Sequence, residues 1–357
     1  MNSSSARDVI IGFDDRILIT GASGFIGSRV VRNLLDRGFQ NIRCVTRRAD
    51  TVSQINTVAL STGRPAHVEV LTGNLLSHDD CTAATKDVAV IFHLAAGRGE
   101  KSFPDAYMNS VITTRNLLEA SVQNRCLRRF VNVSSFTVYS NMNQVQGRIL
   151  DESGPVEMHP ELRGEAYCFA KVKQEEMVAH YSRSFGIPCV TVRPGVVYGP
   201  GNEAIHGRVG IGTFGLFLHL GGSNQIPLTY VDNCADAVVL TGLQKGIDGE
   251  VFNIIDDDLP SSRQFLRLYK KEVGRFRSVY VPHILSYALC YAWECYSTWS
   301  DGQLPPVFNR RRWRTNWKKT NYTNLKLKRI GWRPPVRTAD GLRSYFEACR
   351  TRGKNDA

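Results

Sequence analysis

The stretch "RILITGASGFIGSRVVRNLLDRG", residues 16–38, constrains the fold more than any other part of the chain. Ile17, Leu18 and Ile19 form an unbroken apolar run, as expected of a strand buried on both faces. Gly21, Gly24 and Gly27 follow at G-x-x-G-x-x-G spacing. Val30, Val31, Leu34 and Leu35 then recur at helical spacing up to Gly38, where a helix can stop. The glycines therefore join a strand to a helix. In that place the first glycine permits a tight turn and the second lets backbone approach a pyrophosphate. The third lets the helix pack close to the strand. The free N–H groups at the helix start favour the phosphates. A glycine-rich turn with no ligand is the blander reading, and the strand–glycine–helix context argues against it.

Strand and helix patterns alternate downstream. Strands are predicted at 42–46, 67–71, 88–94, 129–134 and 189–193, with helical segments between most of them. Strands separated by helices imply parallel βαβ units in a doubly wound sheet.

The 357 residues suit one large domain or two moderate ones, and 42% hydrophobic with 22% charged residues excludes a disordered chain. The formal net charge of +12 suits anionic partners: nucleotide phosphates, sugar nucleotides, acyl-CoA, acidic membrane or nucleic acid. Much of that charge is local to the C-terminal region, so it is not a nucleic-acid signature. Nine scattered cysteines without a C-x-x-C pair read as reduced thiols in a cytoplasmic protein. The eight histidines lack zinc-ligand spacing, and no metal is expected. The N-terminus, "MNSSSARDVIIGFDDR", lacks a signal-peptide pattern. No apolar run reaches the roughly 18 residues of a membrane span.

Chemistry is suggested by "AYCFAK", which places Tyr167 and Lys171 four residues apart on one face of a helix predicted over 167–184. Tyrosine, with a pKa near 10, is a poor base at neutral pH, and a neighbouring ammonium stabilises its phenolate. Tyr167 could then exchange a proton with a substrate hydroxyl or carbonyl as hydride moves at the adjoining carbon. Such a pair recurs by chance in many chains, and position strengthens it. It follows the fifth strand, whose end carries Ser134 and Ser135 where open α/β sheets bind ligands. A turn-forming role for Ser135 is the competing reading.

In order, "TGASGFIGS", "HLAA", "NSVITTRNLLEAS", "VSSFTVYS", "AYCFAK", "VRPGVVYGPG" and "YVDNCADAV" resemble the motifs of extended short-chain dehydrogenases/reductases, the NAD-dependent epimerase/dehydratase family. The resemblance runs from about Arg16 to Asn253, with a looser echo in "NLKLKRIGWRPP". It implies Ser135, Tyr167 and Lys171 as the catalytic set and Thr137 as a substrate-side residue. It implies a nicotinamide dinucleotide held by Gly21, Ser23, Gly24, Phe25, Ile26, Gly27, Arg47, Asn74, Leu75, Leu94, Ala95, Ala96, Asn109, Val133, Tyr167, Lys171 and Pro194. It also implies a homodimer through helices around 104–122 and 166–184.

Three places depart from the pattern. Thr46 stands where the second strand usually ends in an acid, and Arg47 follows. An acid there repels a 2′-phosphate and an arginine pairs with it, so NADP(H) is expected over NAD(H). Asn74 stands where an aspartate usually faces adenine, and an amide can still hydrogen-bond there. Before "YVDN", Pro227 and Leu228 replace the arginine that many nucleotide-sugar members carry, as in members acting on sterols or other alcohols.

Beyond Asp258 the composition shifts. Residues 280–300 are aromatic-rich and helical in pattern, and "FNRRRWRTNWKKTNYTNLKLKRIGWRPP" interleaves cations with tryptophans. A substrate lid with arginine clamps, a patch for anionic membrane, and a solvated basic face all fit. Membrane contact is not the favoured partner, and a small-molecule substrate is.

The expected architecture is α/β: a Rossmann-like doubly wound parallel sheet with a smaller C-terminal substrate-binding domain. Residues 1–15 form an N-terminal extension and 16–200 the NAD(P)-binding domain, to which 228–257 return. Residues 201–227 and 258–357 form the substrate domain. The expected activity is hydride transfer at a secondary alcohol or ketone carbon, of a nucleotide sugar first. The alternatives are reduction of an apolar steroid-like or flavonoid-like substrate, and a non-catalytic cofactor-sensing scaffold.

Overall fold

The computed structural model describes residues 9–63, 66–97, 102–142, 149–300, 303 and 308–355. Residues 1–8, part of the stretch read as free of a signal peptide, lie outside them. The first half of the fold runs β1 (Ile17–Thr20), α1 (Gly27–Asp36), β2 (Asn41–Thr46), α2 (Val52–Leu60), β3 (His67–Thr72), α3 (His78–Thr85) and β4 (Val90–His93). It continues with α4 (Phe103–Ala106), α5 (Thr113–Val122), β5 (Arg129–Val133), β6 (Ile149–Leu150), α6 (Ala166–Phe185), β7 (Cys189–Pro194) and β8 (Val196–Tyr198). The remainder is β9 (Gly210–Thr213), β10 (Leu216–His219), β11 (Leu228–Tyr230), α7 (Val231–Leu243), β12 (Val251–Ile254), α8 (Ser262–Glu272) and β13 (Ser278–Tyr280). It ends with α9 (His283–Trp299), α10 (Arg310–Trp317), β14 (Asn321–Tyr322), α11 (Leu325–Arg329) and α12 (Thr338–Asn355).

Seven strands form the central sheet in the order β3-β2-β1-β4-β5-β7-β12, every neighbour parallel. The apolar runs of β1, β4 and β5 are completely buried because helices cover both faces. Val30, Val31, Leu34 and Leu35 of α1 and Ala237 and Val238 of α7 pack on one face. Leu117 and Leu118 of α5 and Val178 of α6 pack on the other. Each fully buried valine or leucine contributes about 1.5–3 kcal/mol. Strand order reverses between β1 and β4, which opens a crevice at the carboxyl ends of those strands.

The predicted strands at 42–46, 67–71 and 189–193 each appear with one added residue, while the one at 88–94 contracts to β4. The seventh strand, β12, is only "VFNI" and carries too little periodicity to be read locally. Residues 9–11 do not stand apart as an extension. Ile10 N donates to the Leu243 carbonyl at 2.9 Å, and Ile11 is buried in the core beneath α7.

A smaller body sits over the carboxyl edge of the sheet. It contains the three-stranded sheet β13-β10-β9 and the helices α8 and α12. Tyr198, Tyr230, Phe265, Tyr345 and Phe346 share its core, so β8 and β11 supply one wall and α8 and α12 the other. The strand pair β6–β14 ties residues 149–150 to 321–322.

Candidate active site

The cofactor cleft is built from the β1–α1 turn. Gly21 has φ +72°, and a Cβ there would meet Ala95 N at 2.9 Å. A Cβ on Gly27 would lie 2.1 Å from the Gly21 carbonyl oxygen. Both positions therefore require glycine, for the turn and for the approach of α1 to β1. The cleft above them has a volume of about 570 Å³. Gly21, Ser23, Gly24, Arg47, Asn74, Leu75, Leu94, Ala95, Ala96 and Asn109 line it, joined by Thr46, Arg48, Asp50, Thr51, Gln54 and Thr113. A dinucleotide fits this donor set: a helix N-terminus over a glycine turn, with apolar walls from Leu75 and Leu94.

Phe25, Ile26 and Gly27 do not line the cleft. The Phe25 ring packs on the second body's core and beneath Gly201, and Ile26 packs on the sheet core. What these positions offer a phosphate is backbone at the start of α1. Pro194 is buried at the end of β7, and the next two residues, Gly195 and Val196, reach the neighbouring cavity.

At the β2 end, Arg48 is bound to Asp50, with Nε donating to Oδ1 at 3.0 Å. Arg47 instead donates to the Asn109 Oδ1 across the cleft at 2.9 Å. Asn109 sits in a π-helical turn, Tyr107–Ile112, between α4 and α5. Such wide turns recur at functional sites. The Asn74 carboxamide is turned onto its own loop, where Oδ1 accepts from Leu76 N at 3.1 Å.

The second cavity has a volume of about 770 Å³ and lies between the sheet edge and the smaller body. Ser135, Thr137 and Tyr167 line its floor. Ser135 caps a short 3-10 turn, its Oγ accepting from Thr137 N at 3.2 Å. A hydrogen bond with Ser135 favours the ionised form of Tyr167, but desolvation outweighs it and holds the phenol above its ordinary value.

Lys171 lies one helical turn along α6 and is buried. Its Nζ donates to the Val133 carbonyl at 2.7 Å and to Gln174 Oε1 at 2.9 Å, and sits 5.9 Å from the centre of the Tyr167 ring. Burial lowers its pKa to about 8, against the opposing charge of Glu175. Ser135, Tyr167 and Lys171 are thus brought together, while Val133 serves through its carbonyl. Tyr167 is raised by burial and not lowered as expected, and the Lys171 ammonium is turned to Val133 and Gln174. Gln174, fully buried, was not among the sequence candidates; its signal was a polar residue three positions after Lys171.

Among the described residues, three arginines line this cavity, Arg163, Arg208 and Arg312, with one carboxylate, Glu165. Glu165 takes two of them, Arg163 Nε at 2.6 Å and Arg312 Nε at 2.9 Å. Arg163 also donates to the Thr137 carbonyl at 2.5 Å, which fixes the loop after β5. Arg208 donates to the Thr315 carbonyl at 2.9 Å. At Pro227 no cation is needed for closure: its carbonyl accepts from Val196 N at 2.6 Å, and Leu228 is buried. The basic segment beyond residue 308 therefore contributes to the cavity through Phe308, Arg312, Asn316 and Trp317. Among the described residues, no cluster of His, Cys, Asp or Glu could hold a metal ion.

Comparison with known proteins agrees with this geometry. GDP-mannose 3,5-epimerase 1 of Oryza sativa subsp. indica is 27% identical over 349 residues, covering 93% of this chain and 81% of that protein. A 3β-hydroxysteroid dehydrogenase/Δ5→4-isomerase of Mycobacterium tuberculosis is 31% identical over 200 residues, 53% of this chain and 49% of that one. The crystal structure of UDP-glucuronic acid 4-epimerase from Bacillus cereus, in complex with UDP-glucuronic acid and NAD, superposes with a TM-score of 0.70 at 21% identity. That match covers 94% of this chain and 99% of the other, and speaks for the fold. The family model described as NAD dependent epimerase/dehydratase matches residues 17–254. With that match over most of its length, the chain belongs to the NAD-dependent epimerase/dehydratase family.

Proposed function

We propose that the protein is a nicotinamide-dependent oxidoreductase or epimerase acting at a secondary alcohol or ketone carbon of a nucleotide sugar. The observation that carries this reading is Ser135 and Tyr167 on the floor of a cavity, with Lys171 buried one helical turn along α6 from Tyr167, and a described lining that holds three arginines and one carboxylate. With Glu165 shared between Arg163 and Arg312, the lining keeps a surplus of positive charge, which suits the two phosphates of a nucleoside diphosphate better than an uncharged steroid. A cavity of about 770 Å³ falls within the range that encloses a ligand of this size.

A nicotinamide in the adjoining cleft supplies a hydride acceptor and donor. Ser135 holds the reacting oxygen by hydrogen bond. Tyr167 takes the hydroxyl proton on oxidation and returns it on reduction. The Lys171 ammonium, when it turns towards the phenol, lowers the cost of the phenolate. Among the described residues Val133 and Gln174 engage two of the three N–H groups of the same Nζ, which leaves one for a ribose hydroxyl.

We further infer a preference for NADP(H), supported by Arg47 facing the cleft without an acid at position 46. A cytoplasmic homodimer through α4, α5 and α6 completes the reading, tested by light scattering. The function itself is tested by identifying any nucleotide retained on purification and then assaying a panel of nucleoside-diphosphate sugars. Tyr167→Phe should lower turnover 10²–10⁴-fold while nucleotide binding persists. Turnover with uncharged steroids alone, or unchanged turnover in Tyr167→Phe, would overturn the reading.

A further inference from the structure

Helix α9 is amphipathic in the reverse sense. Its 17 residues turn Ser286, Cys290 and Ser297 inward and leave Ile284, Leu285, Leu289, Tyr291, Tyr296 and Trp299 exposed. Ile284 is 87% exposed and Trp299 79%. The exposed positions also include Ala288, Ala292, Cys295 and Thr298. At about 100° per residue they span roughly half the helix cylinder. No ionisable carboxylate or cation lies among them. The helix's one carboxylate, Glu294, points away to α10, where it binds Arg310 Nε at 2.9 Å. The six large side chains together present roughly 700 Å² of apolar surface, more than the few hundred normal for one patch on a soluble chain.

The inner side of α9 accounts for its orientation. Trp313 of α10 donates to Ser286 Oγ at 2.9 Å and packs edge-on against Tyr287, so Ser286 and Tyr287 dock α10. Nothing in that packing requires the outer residues to be apolar.

We propose that this face seats α9 flat in the interface of an anionic lipid bilayer. Three observations favour a membrane over a protein partner. The apolar arc is far wider than the narrow seam that a single partner helix fills. At about 100° per residue Tyr291 and Tyr296 fall towards opposite edges of the arc, which in a flat helix is the level where one side is apolar and the other wet, the level tyrosine favours. Cations border the face. The Arg310 guanidinium lies 4.5 Å over the Tyr291 ring, and Arg263 lies 5.5 Å over Tyr280, just before the helix. The +12 charge of the whole chain adds long-range attraction to acidic headgroups. No described helix is long and apolar enough to cross a membrane, so contact on the surface is the mode that fits. This inference does not rest on the proposed catalytic activity. The substrate cavity lies on the other side of α10.

The test is flotation of the full-length protein with phosphatidylcholine vesicles, with and without 30% phosphatidylserine. It is paired with the triple variant Leu285→Asn, Leu289→Asn, Trp299→Ser. These side chains are exposed, so the variant should keep the circular dichroism and melting temperature of the parent. A Cys126→Ser background leaves Cys295 as the one exposed thiol among the described cysteines, for an environment-sensitive dye on the face itself. Binding to the acidic vesicles, a blue shift of the dye and at least tenfold weaker binding of the triple variant would support the proposal. Absence of vesicle binding would overturn it, as would binding that the triple variant retains. A doubled mass in solution that the triple variant returns to the single-chain value would also overturn it, by assigning the face to a second copy.

Discussion

Gln174 accepts a hydrogen bond from Lys171 Nζ at 2.9 Å, with both side chains closed to solvent. Among the described residues, the amide oxygen is one of two acceptors holding this buried ammonium, the other being the Val133 carbonyl. Burial has already lowered Lys171 to about 8, so its charge at neutral pH depends on these partners. Among the described ionisable groups around it, Glu175 on its own helix favours the charge, His93 on β4 is neutral, and the Tyr167 ring lies 5.9 Å away. Gln174→Leu should remove a charge-assisted bond worth about 1.5–3 kcal/mol, or roughly one to two pH units. The alkaline limb of the kcat/KM profile should then move down from near 8, whereas Gln174→Glu should move it up. Equal losses at every pH would make Gln174 a packing residue only.

Arg47 donates to Asn109 Oδ1 across the cleft at 2.9 Å. A 2′-phosphate offers it a stronger, charged partner than that amide. Arg47→Ala should weaken NADPH binding about tenfold and leave NADH within about twofold, as measured by fluorescence titration. Equal weakening of both would show that Arg47 contributes only through Asn109.

Gly27→Ala places a methyl group 2.1 Å from the Gly21 carbonyl oxygen and 2.9 Å from Ala22 Cα. Both neighbours are backbone, so α1 must move off β1. The expected cost is about 3 kcal/mol, read as a lower urea midpoint, together with loss of nucleotide binding. A variant with the parent's midpoint would mean that the turn relaxes freely.

The elements read from sequence were those whose signal is local. The β1–glycine–α1 unit lies within one short stretch, and Tyr167 and Lys171 share a helix face by spacing alone. Gln174 lies on that same helix, but nothing local distinguishes a buried glutamine from a solvated one. The cavity's charge was not legible, because Arg163 and Glu165 meet Arg312 only when α10 folds back across the sheet edge. The segment around Arg312 could be read as a lid, a membrane patch or a solvated face until its partners were known. Helix α9 was legible as a helix, but its orientation was not. A sequence cannot say that Ser286 turns inward until the donor on Trp313 is in place.

His93 shows how pH acts on the fold through the same crevice. Its ring is fully buried between Thr20 Oγ1, 2.8 Å from Nδ1, and Thr114 Oγ1, 2.8 Å from Nε2. Burial, reinforced by the Lys171 charge, lowers it from 6.5 to about 3. Between those values the unfolded chain binds a proton that the folded chain refuses, so His93 costs about 1.4 kcal/mol of stability for each pH unit below 6.5. Asp256 works in the opposite direction. Burial raises it from 3.8 to about 6, so over that interval the folded chain holds the extra proton and gains stability as the pH falls. The two effects offset in the parent protein, and the difference against a variant exposes them. His93→Gln keeps an amide able to reach Thr20 or Thr114 and removes the titration. Relative to the parent, its unfolding free energy should rise by about 2–3 kcal/mol between pH 7 and pH 4.5, measured by urea denaturation at each pH. A constant difference across that range would mean that His93 takes up its proton in the folded state, with Thr20 and Thr114 both accepting from it.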